Sequence, residues 1–68
     1  MEYTAIVKQI DEWWVGWVEE IPGVNCQERT HLELLKSLRN TLREAIDLNK
    51  LDAIEQAGEN YKEEIIAV

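Results

Sequence analysis

Three tryptophans fall within five residues, Trp13, Trp14 and Trp17, in a segment otherwise made of valine and glycine. A short run of β-branched and aromatic residues favours a strand. Strand side chains alternate between faces, so Trp13 and Trp17 share one face and Trp14 takes the other. Whatever sheet this segment joins therefore carries large apolar groups on both sides. One helix can cover only one of them.

Residues 2–10 supply the partner strand, and Asp11-Glu12 is the polar turn between the two. A two-residue turn sets the register. Ile10 lies opposite Trp13, Lys8 opposite Val15 and Ile6 opposite Trp17, while Val7 meets Gly16 and Ala5 meets Val18 on the other face. The turn chemistry is unusual, because tight primed turns favour Asn-Gly or Asp-Gly over Asp-Glu. Pro22 cannot donate a ladder hydrogen bond and Gly23 tolerates positive φ, so Ile21-Pro22-Gly23 ends the second strand. Residues 24–28 then form a short third strand.

Thr30 is a good N-cap, and Glu33 three residues on completes the pattern of a capping box, in which each side chain satisfies a free backbone N–H. Leu34, Leu35, Leu38, Leu42, Ala45 and Ile46 follow the helical period on one side, with Lys36, Arg39, Asn40, Arg43 and Asp47 on the other. The spacing predicts a helix over residues 31–49, roughly 28 Å long. Residues 51–57 can extend it, with Gly58 as a stop. Residues 61–68 read as a last strand. A right-handed crossover would lay that strand parallel beside the first, giving an α+β fold, β-β-β-α-β in sheet order 3-2-1-4, with one helix on a face.

A chain of 68 residues has room for one domain, and its core alone is marginal. Chains of this size are commonly reinforced by disulfides, a metal or a partner subunit. Cys26 and His31 are the only residues of their kinds, which leaves no intrachain disulfide and no four-ligand zinc site. Self-association, as a dimer or tetramer, is the remaining route. The lone thiol, the lack of a signal pattern and the lack of a long apolar run point to a soluble, cytoplasmic protein. Fourteen acidic against seven basic side chains give a net charge of -7, which opposes phosphate backbones and favours a basic protein partner.

Glu20-Ile21-Pro22-Gly23, Gln27 four residues after that glycine, and Thr30 opening the helix with Glu33 and Leu35 behind it resemble the HicB-like antitoxin family. The resemblance covers residues 2–48. It departs from the family at Glu28, where a glycine is common, and at Cys26, where serine or threonine is common. It implies a truncated ribonuclease-H-like sheet and an antitoxin that binds and neutralises a small basic HicA-type mRNA-cleaving toxin by protein contact. Family members often add a C-terminal DNA-binding segment. Here the expectation is a single HicB-like domain over residues 1–68 without one.

Candidate chemistry is sparse. Ribonuclease-H-like nucleases hold two divalent metals with several carboxylates. Glu2, Asp11, Glu12, Glu19, Glu20 and Glu28 all lie on strands or turns where a solvated role is the simplest account. A Cys26–His31 pair would still lack an orienting group and an oxyanion site. The expectation is therefore no enzymatic activity, no cofactor and no metal. Trp13, Trp14 and Trp17 cannot all be covered, and an exposed tryptophan in so small a protein is commonly an interface anchor. With Glu19, Glu20 and Glu28 at the strand ends, these six residues are the candidate partner-binding set. Two other readings stand beside this one. The chain could be a solitary oligomeric HicB-like domain with no toxin, or a nucleic-acid-binding module that stacks bases on tryptophan, which the acidic charge disfavours.

Overall fold

The computed structural model describes residues 2–68. Three strands, β1 (Ala5–Ile10), β2 (Trp13–Val18) and β3 (Asn25–Glu28), precede one long helix, α1 (His31–Ala57). The strands form one antiparallel sheet in the order β1-β2-β3. The hairpin has the expected register, with Ile6 opposite Trp17, Lys8 opposite Val15 and Ile10 opposite Trp13. Asp11 takes a φ of 54°, the left-handed conformation that a two-residue hairpin turn demands of its first residue. Aspartate visits that region more readily than most residues, which lets Asp-Glu serve where Asp-Gly would be usual.

The loop from β2 to β3 is closed by the Val18 amide donating to the Val24 carbonyl at 3.1 Å. Gly23 sits at φ 90°, a conformation that favours glycine. Thr30 caps α1, its hydroxyl oxygen accepting from the Glu33 amide at 3.1 Å. The return contact of the box is made by the Thr30 hydroxyl itself, which donates to Glu33 Oε1 at 3.2 Å.

The helix lies on the face of β2 and β3 that carries Gly16, Val18 and Cys26. Gly16 allows the approach: a methyl group there would stand 3.0 Å from Leu38 Cδ1 and 3.2 Å from Leu34 Cδ2. Val18, Val24, Leu34 and Leu38 are the buried core, with Val7, Trp14, Ile21, Leu42 and Ala45 packed around them. Leu34 and Val24 are fully buried, which stabilises each by about 1.5–3 kcal/mol relative to exposure. Leu35 lies at the margin of the stripe, 39% exposed.

Beyond residue 49, α1 continues unbroken through the extension over residues 51–57 and stops at Gly58, whose amide donates to the Ile54 carbonyl at 3.2 Å. No Gly or Pro interrupts residues 47–57, and Leu, Ala, Lys, Glu and Gln among them are good helix formers. That stretch projects past the sheet, and the radius of gyration is 15.3 Å against about 11 Å for a compact chain of this length. The expected fourth strand is not formed. Residues 61–68 carry no regular structure and every one is exposed, so the described sheet has three strands and an unpaired β1 edge.

Candidate functional site

Alternation along the strands assigns the two sheet faces, because Gly16 and Val18 point at the helix. Ile6, Lys8, Ile10, Trp13, Val15, Trp17, Asn25 and Gln27 then form the open face, the one turned away from α1. Ile10 is 47% exposed and Trp17 43%. Between β2 and β3 this face holds a shallow groove of about 320 Å³ floored by Val15, Trp17, Asn25 and Gln27.

The three tryptophans meet different fates. Trp14 lies on the helix side, half-buried, with the His31 ring 4.8 Å away at a tilt of 41°. Trp13 is on the open face but is roofed by the Arg29 guanidinium, 4.0 Å from the ring centroid. Arg29 is held there by Glu12 at 3.0 Å, an exposed pair that orients the guanidinium more than it stabilises the fold. Trp17 has neither cover. It stands opposite Ile6 and Asn25, at the end of the sheet where β2 leads into Glu19 and Glu20.

The acidic candidates separate in the same way. Glu28 turns toward the helix, accepting from the Ser37 hydroxyl at 2.6 Å, and is half-buried. Glu20 folds back on the first strand, its Oε1 accepting from the Thr4 amide at 2.8 Å, while the Glu19 amide donates to the Thr4 carbonyl at 2.9 Å. Glu19 keeps its side chain exposed. Trp17, Glu19 and Glu20 thus share only the end of β2 at which they follow one another in the chain, whereas Trp14 and Glu28 lie on the helix side and Trp13 under Arg29. Sequence reasoning missed Arg29, whose position over Trp13 depends on how the loop after β3 turns.

The Thr4 amide bond holds the Glu20 carboxyl below the ordinary glutamate range, since donation from a backbone N–H favours the charged form. A lowered folded-state pKa means a contribution that is complete above the ordinary glutamate value, about 4.3, and lost as pH falls through the folded value. Glu20→Gln should therefore leave the melting temperature at pH 7 slightly lower and flatten its fall below about pH 4.3. Thermal melts of both proteins from pH 7 to pH 3 check this. An unchanged acid limb would show that the Thr4 contact does not persist in solution.

Other candidate chemistry is not assembled by the fold. Cys26 Sγ lies 3.5 Å from the Thr41 hydroxyl, whereas His31 is against Trp14, so the two are not paired with each other. Among the described residues no group of three or more His, Cys, Asp or Glu side chains is placed to hold a metal ion. Among them, too, no helix is long and apolar enough to cross a membrane. What the open face offers is an exposed apolar anchor, Trp17. No family model, curated protein or solved structure matches the chain.

Proposed function

We propose that this protein is a protein-binding domain of the HicB-like antitoxin kind, which neutralises a small basic HicA-type mRNA-cleaving toxin in the cytoplasm by direct contact. The observation that carries the reading is the exposed Trp17, followed in the chain by exposed Glu19 and Glu20, on the sheet face away from the helix in a chain with net charge -7. An exposed aromatic supplies an anchor that gains by desolvation, and neighbouring carboxylates steer a basic surface toward it. A ribonuclease surface shaped for phosphates is such a surface. A truncated ribonuclease-H-like sheet belongs to the same proposal, as does a role in binding instead of catalysis.

The test is titration against a HicA-type ribonuclease, reading both binding and RNA cleavage. Cleavage should be silenced at stoichiometric ratio. Trp17→Ala should raise Kd by about 30-fold, mainly through faster dissociation, because a buried anchor is worth about 2 kcal/mol or more. Glu19→Gln should act on association instead, slowing it a few-fold and reducing its dependence on salt. RNA cleavage that persists in excess of this protein overturns the proposal.

A further inference from the structure

Along the outer side of β1 the sheet is unfinished. The Glu19 amide donates to the Thr4 carbonyl and the Ile6 carbonyl lies against Gly16, so the even-numbered residues turn their backbone groups toward β2. Backbone direction alternates along an antiparallel strand, which points the N–H and C=O groups of Ala5, Val7 and Gln9 away from it. Among the described residues no strand pairs with them. Beside this edge, on the helix side, lies an apolar groove of about 250 Å³ between Tyr3, Ala5 and Val18 on one wall and Leu35, Leu38 and Leu42 of α1 on the other. It exists because α1 rests on β2 and β3.

The charges that flank the edge and the groove are basic. Lys8 is exposed on β1, opposite Val15 and between Ile6 and Ile10 on its face. Arg39 stands at the groove on the side of α1. Among the described residues neither has an ion-pair partner, although the chain carries fourteen acidic side chains to seven basic. A free edge accepts an extended chain through its backbone groups, and the side chains beside it select which chain.

We propose that β1 and this groove bind an extended acidic segment of another protein, which adds to the sheet as a fourth strand. Its apolar side chains would enter the groove and its carboxylates would lie on the opposite face, as cross-strand neighbours of Lys8. Arg39 adds attraction for the same segment. Charge decides against a second copy of β1, which would bring another lysine and no carboxylate, an arrangement that discourages edge pairing. The end of the chain is held elsewhere, since Tyr61, Lys62 and Glu63 lie against Ala53, Ile54 and Ala57 at the far end of α1. This edge takes an acidic segment where the Trp17 end takes a basic surface, so the two readings stand or fall separately.

The probe is a short peptide of alternating valine and glutamate, blocked at both ends, with the valine–lysine peptide as its charge-reversed counterpart. Binding is read by amide hydrogen exchange and amide chemical shifts. Exchange at Ala5, Val7 and Gln9 should slow with the valine–glutamate peptide and not with the other. Lys8→Glu should weaken binding about tenfold, and Arg39→Glu should weaken it as well. Lys50→Glu makes the same change in net charge on the projecting part of α1 and should leave binding nearly unchanged, being screened by salt. All three side chains are exposed, so the variants keep the fold. Slow exchange at Ala5, Val7 and Gln9 before any peptide is added would show the edge already covered, by the tail or by a second copy, and would overturn the proposal. Equal binding of the two peptides, equal effects of Lys8→Glu and Lys50→Glu, or no response of the three amides at millimolar peptide would overturn it too.

Discussion

Leu34→Ala should destabilise the protein by about 3–5 kcal/mol and leave most of the chain unfolded at room temperature. Leu34 is 0% exposed and belongs to a buried core of Val18, Val24, Leu34 and Leu38. Truncating it removes the transfer free energy of its side chain and opens a cavity beneath Gly16, where the sheet backbone cannot sink to fill it. A core this small supplies only about 3–5 kcal/mol in total, so the loss is comparable with the whole. Urea unfolding followed by tryptophan fluorescence measures it, because Trp14 packs against the same cluster. Leu48→Ala, at a position 61% exposed, is the matched control. It should change stability by less than about 0.5 kcal/mol in the monomer. Equal effects at the two positions would mean that the helix does not dock as described.

Gly16→Ala should cost about 1–3 kcal/mol, and Gly16→Val more. In most strands replacing glycine by alanine helps, by about 0.5–1 kcal/mol, because glycine has more freedom to lose on folding. Here the geometry reverses the sign. A Cβ at position 16 would stand 2.9 Å from the Ile6 carbonyl oxygen, with Leu38 Cδ1 at 3.0 Å and Leu34 Cδ2 at 3.2 Å. The leucine methyls can turn aside, but the Ile6 carbonyl belongs to the hairpin backbone and can move only by disturbing the pairing of β1 with β2. Gly16 stands opposite Val7 on one side and Cys26 on the other, so the strain spreads to all three strands. Chemical denaturation of the two variants checks the order. A stabilising Gly16→Ala would show that the helix stands farther from the sheet.

The parts legible in the sequence are those governed by near neighbours along the chain. The two-residue turn at Asp11-Glu12 determined the hairpin pairing down to Ile6 with Trp17, since a slip of one residue would reverse every side chain. Thr30 and Glu33 marked the start of α1, and the leucine spacing marked its docking stripe. Gly16 carries a further signal in the sequence, since a glycine inside an apolar strand often marks a close backbone approach.

Tertiary structure alone decided which side of the hairpin α1 covers, and with it the separate fates of Trp14 and Trp17. Both faces offered apolar residues. The choice fell to Gly16, Val18 and Cys26, where a helix can come close, over the face crowded by Trp13, Val15 and Trp17. The same holds for the end of the chain. Residues 61–68 read as a strand from their isoleucines and valine, but a strand forms only where an edge is within reach. The unbroken helix through residues 47–57 carries that segment away from the edge of its own sheet. Turns and caps depend on a few adjacent residues, so the sequence determines them by itself. Face selection and strand completion depend on competing long-range contacts, which only the folded chain resolves.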